Sequence, residues 1–439
     1  MIEEIKQIIK KERIKFLNLQ FTDIFGTLKN VIISLDKFDD VAKYGLWFDG
    51  SSIEGFARIY ESDMLLRPDW ATFAVLPWSP TERRAGRVIC DIFTPSGEPF
   101  SGDPRGRLKM FLKKIKEKDL LYYTGAELEF YLFERDKMPV LIPHDRKSYF
   151  DYTPLSRATE VCEKTMEALR NFGIKGEMHH HEVGQGQHEI DVAYDNALKT
   201  ADNIITIKTA LKALTGNQSG LKVTWMPKYK CGMAGNGMHV HQSIFRGDRN
   251  LFYQDGGQYN LSRAAKYFIA GQLEHAKAIT ALTNPTVNSY KRLVHGYEAP
   301  VYICWGQTNR SALIRIPRGS QGKEPVATRL EYRSPDSSAN PYLAFTVMLA
   351  AGLDGWNKRE EPANPVEEDV YDWDELELKK YQVSTLPDTL IKAVDYLESD
   401  KVILDAIGEK VSSVFIAAKK KEWREFLQQV TAWEIEKYL

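Results

Sequence analysis

The segment GAELEFYLF, residues 125 to 133, alternates acidic and apolar side chains with a period of two. On an extended strand that period sends Glu127, Glu129 and Tyr131 to one face and Leu128, Phe130 and Leu132 to the other. The apolar face requires a core beneath it. The opposite face requires a reason for two carboxylates, and a pair standing alone would be an ordinary solvated face. In HHHEVGQGQHEID the glycine-rich centre predicts a turn that brings Glu182 and Glu189 onto neighbouring strands. His239, His241 and Ser243 share one face of GMHVHQSIF, and Arg329, Glu331 and Arg333 share one face of TRLEYRSP.

Converging carboxylates repel one another and take up protons unless cations accompany them. Oxygen ligands with a single imidazole suit Mg²⁺ or Mn²⁺ better than zinc. Arg292, Arg310, Arg315, Arg329 and Arg333 follow closely in sequence, and guanidinium groups are habitual partners of phosphate and carboxylate. An acid cluster with an arginine cluster points to metal-assisted phosphoryl transfer. A binding module laced with structural ion pairs is the competing reading. Arg310 and Arg315 differ in strand parity, so one of them needs a bend or a loop. GSQGKEP lacks the Walker spacing and GMAGNG lacks that of the dinucleotide loop. In the HHH tract at 179–181 alternation turns His180 away from its neighbours, so direct ligation is not expected there. His144, His188, His275 and His295 read as ordinary surface or core histidines.

The chain has 439 residues, 43% of them hydrophobic, enough for two or more domains. Its net charge of -1 gives no support to nucleic-acid wrapping or to adhesion on anionic lipid. Cys90, Cys162, Cys231 and Cys304 are scattered without C-x-x-C spacing, which fits a reducing, cytoplasmic setting. The N-terminus carries acids from its third residue and predicts an amphipathic helix over residues 2–12, with no signal peptide expected. YLAFTVMLAAGL, at 342–353, is too short for a membrane span and reads as a core helix. FTPSGEPFSGDPRGR is the clearest break in composition. It places a boundary near residue 103, between a small N-terminal domain (1–103) and a larger one (104–439). Strands are predicted at IKFLNLQFTD, TLKNVIIS, KGEMHHHEV, LKVTWMP and SALIRIP, besides the segments above. Helices are predicted from 107, over 156–173, 197–215, 261–283 and 340–356, and from about 387 onward. The class is α+β.

These segments, with FDGSSIEGFARIYESDM and NPTVNSYKRLVHGYEAPVY, stand in the order found in type I glutamine synthetases, and the resemblance runs nearly end to end. It implies an N-terminal β-grasp domain and a catalytic domain with an antiparallel half-barrel sheet and helices. It also implies a dodecamer of two hexameric rings, active sites between subunits and a helical tail tying the rings. The implied reaction joins ammonia to glutamate at the expense of ATP through γ-glutamyl phosphate, with two or more Mg²⁺ or Mn²⁺ ions per site. By motif, Glu129, Glu182 and Glu189 would hold one metal and Glu127, His239 and Glu331 the other. Ala234, Gly235, Arg292, Glu298, Arg310 and Arg333 would bind glutamate. Glu177, His241, Ser243, Arg310, Arg315 and Arg329 would bind ATP. Asp49 would hold ammonium and take its proton across a subunit boundary, Glu298 would close the site as a flap acid, and Arg310 would counter transferring charge. Removing Glu331 is expected to abolish turnover with little loss of fold.

Lys228-Tyr229 stands where the family has Lys-Pro, AGNG at 234–237 where it has Asn-Gly-Ser-Gly, and His295 where proline is common. The AGNG loop also resembles γ-glutamylpolyamine synthetases, so ligation of a larger amine is the alternative reading. A catalytically silent scaffold is a third. Arg58 resembles a residue tied to glutamine feedback, nitrogen-regulatory proteins are candidate partners, and adenylylation at Tyr371 is not expected.

Overall fold

The computed structural model describes all residues except 52, 54–62, 217, 218 and 298. The N-terminal sheet comprises β1 (Phe16–Thr22), β2 (Leu28–Ser34), β3 (Leu46–Asp49), β4 (Asp63–Val75) and β5 (Ala85–Phe93), in the order β2-β1-β5-β4-β3. β1 and β5 run parallel, and the other neighbours are antiparallel. Leu17, Leu19, Leu66, Val88 and Ile92 form its core, on which the helix Ile2–Lys11 docks Ile5. The sequence reading named the strands around DIFG but not β3, β4 or β5. Their residues alternate poorly: β4 contains Pro68 and a register shift between Asp69 and Ala74, which breaks the period-two signal.

The second sheet begins with β6 (Leu121–Glu134), β7 (Gly176–His181), β8 (Gln187–Val192), β9 (Asp195–Asn196), β10 (Leu221–Thr224) and β11 (Met238–Arg246). It continues with β12 (Arg249–Asn250), β13 (Tyr302–Gly306), β14 (Ala312–Arg315), β15 (Leu330–Tyr332) and β16 (Ser384–Thr385). Its main path is β16-β13-β14-β15-β11-β6-β8-β7, antiparallel except for β13 with β14. At fourteen residues β6 is long enough to pair with β11 and β10 along one edge and β9 and β8 along the other. Leu128, Phe130 and Leu132 are fully buried among helices on its apolar face, as the alternation requires.

The helix Pro341–Lys358 starts cleanly because Asn340 caps it and Pro341 fits its first turn. It is buried nearly all round, as YLAFTVMLAAGL predicts. The expected helix over 261–283 is instead two, Arg263–Glu274 and Ala276–Thr283. His275 stands at the break, its ring nitrogens 2.6 Å from Asp400 and 3.0 Å from Asp354. The predicted strand LKVTWMP shortens to β10, because the chain leaves the sheet ahead of Pro227.

The two sheets are joined by a buried guanidinium. Arg105, the second residue of the helix Pro104–Lys116, bridges Asp69 and Asp91 on the N-terminal sheet and Asp202 on the helix Ala197–Leu214. Asn340 adds hydrogen bonds to the carbonyls of Asp23 and Ile24. Among the described residues no helix is long and apolar enough to cross a membrane.

Candidate active site

β6 is the wall between two cavities, and its paired acids open into different ones. Glu129 lines a cavity of about 490 Å³ together with Glu182, Ala234, Gly235, Arg292 and Arg333. Glu127 lines one of about 450 Å³ with Glu177, His241, Ser243 and Arg329. His239 borders the first. The residues assigned above to glutamate and those assigned to ATP thus separate largely by cavity.

Register positions the side chains. β11 lays His239 opposite Glu127, and β8 lays Glu189 opposite Glu129. Glu127, His239 and Glu331 offer ligand atoms within 4.8 Å of one another. His239 Nδ1 lies 2.9 Å and His241 Nε2 2.7 Å from the two oxygens of Glu127. Burial pushes the Glu127 carboxyl up, but these hydrogen bonds outweigh it and hold the group well below the usual carboxylate range. Arg329 Nε donates to His241 Nδ1 at 3.2 Å, which leaves Nε2 as the nitrogen that donates to Glu127.

Glu331 is 1% exposed. Arg333 Nη1 donates to its Oε1 at 2.6 Å. Arg315 Nε lies 2.8 Å from Oε2 but out of line, so that buried oxygen keeps an unfilled acceptor position. Two acids, an imidazole and an unsatisfied carboxylate oxygen fit a divalent cation.

The other predicted set is differently built. Among the described residues Glu129, Glu182 and Glu189 do not form such a close trio. Glu129 Oε2 accepts from the Gly237 N–H at 2.7 Å, and Glu189 Oε1 meets His180 Nε2 at 3.1 Å. Burial and the neighbouring Glu129, Asp191, Glu127 and Glu182 push the Glu189 carboxyl far above its ordinary range. Burial and Glu127 push Asp191 up to about 7. Oxygen donors crowded beyond what their surroundings neutralise are the chemistry a hard divalent ion fits.

The altered loop keeps a tight backbone. A Cβ on Gly235 would meet Arg292 Cγ at 2.6 Å and the Pro227 carbonyl at 2.7 Å, so glycine is required. Tyr131 Oη donates to the Ala234 carbonyl at 2.8 Å, and Gln187 Nε2 donates to the Gly235 carbonyl at 3.0 Å. Arg292 gives its N–H groups to the carbonyls of Ser334 and Arg333. Lys228 reaches the Met233 carbonyl and lies 4.1 Å from the centroid of the Tyr297 ring, with Tyr229 packed edge-on to Tyr131.

Several predicted residues line neither cavity. Arg315 ends β14, and Arg310 is exposed on the turn ahead of it, which accounts for their unequal parity. Asp49 is exposed at the end of β3, accepting from the Ser51 N–H at 2.8 Å. Hydrogen bonds from the Ser51 side chain and backbone hold its carboxyl below the usual range. Glu298 and Arg58 fall outside the described residues. Sequence reasoning missed Arg146, Lys147, Gln187 and Tyr297 in the first cavity, and Tyr123, Asp191 and Tyr194 in the second. Gln187 and Asp191 share the face of Glu189 at period two and were legible. Arg146 and Lys147 lie on a loop with no pattern.

The chain matches the family described as "Glutamine synthetase, beta-Grasp domain" over residues 13–95 and that described as "Glutamine synthetase, catalytic domain" over 101–438. It is 50% identical to a glutamine synthetase of Thermotoga maritima over 440 residues, covering 100% of this chain and 99% of that one. It is 46% identical to one of Methanococcus maripaludis, with 100% and 99% covered. Among solved structures, a GmaS complex with ADP superposes with a TM-score of 0.89 at 33% identity, covering 98% of each chain. The cryo-EM structure of Plasmodium falciparum glutamine synthetase gives a TM-score of 0.89 at 24% identity, with 100% and 99% covered, a likeness of fold. A β-grasp domain, a half-barrel catalytic sheet flanked by helices and relatives matched end to end identify this chain as a member of the glutamine synthetase family.

Proposed function

We propose that this chain makes glutamine from glutamate, ammonia and ATP, with glutamate in the cavity beside Glu129 and nucleotide in the cavity beside Glu127. The observation that carries the reading is the shared wall: two cavities, each lined in part by charged side chains, meet at Glu127 and Glu129 on one strand. Reacting groups brought to either side of such a wall can be held within attacking distance.

Arg292, Arg333 and the backbone at Ala234 and Gly235 hold glutamate, with Glu298 closing over it. Glu177, His241, Ser243 and Arg329 hold ATP. The γ-carboxylate of glutamate attacks the γ-phosphorus, the bond to ADP breaks, and γ-glutamyl phosphate forms. Arg310 and Arg315 counter the charge on the moving phosphoryl group. Ammonia then attacks the acyl carbon and phosphate leaves. Asp49, ionised on an exposed strand end, binds ammonium for a neighbouring subunit and takes its proton. Glu127, His239 and Glu331, and Glu129, Glu182 and Glu189, would each hold a divalent ion, Mg²⁺ or Mn²⁺, which when bound would supply positive charge to the transfer.

The assembly proposed is a cytoplasmic dodecamer of two hexameric rings, built from domains that meet near residue 103. The C-terminal helix Ala432–Tyr438 supports it: Trp433, Ile435 and Tyr438 are all exposed, apolar surface around a short helix that a partner ring would cover. Free cysteines support the compartment. Feedback by glutamine at Arg58 is part of the same reading, and Arg58→Ala is expected to lose inhibition by glutamine. The deciding assay follows phosphate release from ATP and glutamate with ammonium, then with putrescine or spermidine. Ammonium is expected to be strongly preferred. Preference for a polyamine would replace this reading with the amine ligase, and silence with every amine would leave a scaffold.

A further inference from the structure

Outside the carboxylate wall, the loop after β6 folds back over the β7–β8 hairpin and brings histidines together. Backbone hydrogen bonds anchor the loop at His144 N to the Leu132 carbonyl and at Phe150 N to the His181 carbonyl. Between these anchors His144 Nε2 lies 2.8 Å from His188 Nε2 and 3.4 Å from Asp145 Oδ2. His144, Asp145 and His188 offer ligand atoms within 4.8 Å of one another. We propose that these three side chains bind a transition-metal ion of the zinc class, at a site separate from the catalytic carboxylates, that staples the loop to the hairpin.

The donor set differs in kind from the oxygen-rich wall: two imidazoles and one carboxylate suit zinc, cobalt or nickel over magnesium. Around an ion roughly 2.0–2.2 Å from each ligand, tetrahedral donors stand roughly 3.3–3.5 Å apart. The two imidazole nitrogens therefore need to separate by only about half an ångström. The supporting contacts match those of ligating groups. Asp145 Oδ1 accepts from the Gly186 N–H at 2.9 Å and faces His181 Nε2 at 3.1 Å, which leaves Oδ2 turned to His144. His181 Nδ1 is in turn fixed 2.6 Å from the Glu182 carbonyl. Outer contacts of this sort orient metal ligands and are a recognised part of such sites.

The position gives the site a consequence. The loop carries Arg146 and Lys147 into the cavity beside Glu129, and the hairpin carries Glu182 into the same cavity. An ion joining loop to hairpin fixes two walls of that cavity against each other. Two imidazoles meeting head-on can instead share one hydrogen, and that is the competing occupant.

The test uses the full-length assembled protein, stripped with chelator, saturated with Mg²⁺ to fill the oxygen-rich sites, and titrated with Co²⁺. One equivalent per chain is expected, with the intense visible bands of a four-coordinate, imidazole-bearing ion. His144→Ala, on the loop, and His188→Asn, in the strand, are each expected to weaken that equivalent at least about tenfold while circular dichroism stays unchanged. The wild-type spectrum decides independently of either variant's folding. Weak octahedral bands alone, no uptake above Mg²⁺, or equal uptake by wild type and His144→Ala would assign the cluster to a proton-sharing histidine pair and overturn the proposal.

Discussion

The two carboxylate sets that meet on β6 are unequally balanced. Around Glu127 and Glu331 the protein supplies its own partners: the imidazoles of His239 and His241 on one acid, the guanidinium groups of Arg333 and Arg315 on the other. That set is drawn together within 4.8 Å. Around Glu129, Glu182 and Glu189 the contacts include His180, backbone N–H groups, the Gln187 amide and His239 at 3.9 Å, with Arg292 and Arg333 acting on Glu129, while Asp191 adds a further acid. There the carboxyl of Glu189 is driven toward its protonated form. One side is organised by imidazole and guanidinium groups of the protein before any ion arrives. The other depends on an ion for its charge and its shape.

The largest test falls on the balanced side. Glu331→Ala is expected to abolish phosphate release and also to lower stability by about 3–5 kcal/mol, the cost of leaving a buried guanidinium without its partner. Urea denaturation of the variant measures the second effect. The sequence reading expected little loss of fold because the side chain fills no apolar core. The structure gives a reason to expect otherwise, since Glu331 is 1% exposed and bonded to Arg333, itself 4% exposed. A variant as stable as its parent would break the contrast between the two sets.

A matched pair of substitutions sharpens it further. In chelator-treated protein Glu127→Gln is expected to destabilise by about 1–3 kcal/mol, because two histidines lose a charged acceptor. Glu189→Gln should do the reverse, stabilising the metal-free protein by about 1 kcal/mol by removing one of several crowded acids. Thermal melts with and without Mg²⁺ read both effects, and the gain from Glu189→Gln should vanish once Mg²⁺ is added. Shifts of the same sign in the metal-free protein would mean that the two sides are alike.

Period-two alternation made the wall legible in the sequence, because it is a local rule that a strand cannot evade. It assigned Glu127 and Glu129 to one face and Leu128 and Phe130 to the other, and the glycine turn between Glu182 and Glu189 followed from composition. What stayed hidden depends on contacts between distant segments. Nothing local says that the two acids open into different cavities, since that is decided by β8 on one side and β11 on the other. The loop bearing His144, Arg146 and Lys147 has no periodicity, and its partner His188 lies 44 residues away. Likewise the break at His275 is fixed by Asp354 and Asp400 from remote helices, while its own flanks read as continuous helix.

The smallest expected effect lies at the rim of the cavity beside Glu129. Tyr371 donates its hydroxyl to the Ala299 carbonyl, and its ring stands edge-on to His295 at 4.9 Å and to Tyr302 at 5.9 Å. His295 Nδ1 lies 3.1 Å from the Tyr302 hydroxyl. The histidine found where proline is common thus sits in a small aromatic cluster that steadies the segment carrying Tyr297 and Ala299 into the cavity. Tyr371→Phe keeps the ring contacts and removes the hydrogen bond to Ala299, of about 0.5–1.5 kcal/mol. If that bond holds the glutamate-binding arrangement, KM for glutamate should rise roughly two- to tenfold with kcat little changed. The same geometry gives a physical reason for expecting no adenylylation at this tyrosine: its oxygen is engaged with a backbone carbonyl, and a bulky adduct would have to displace the segment. Intact-mass measurement of the purified protein checks that expectation, and an unchanged KM in Tyr371→Phe would show that the cluster fills space without positioning the rim.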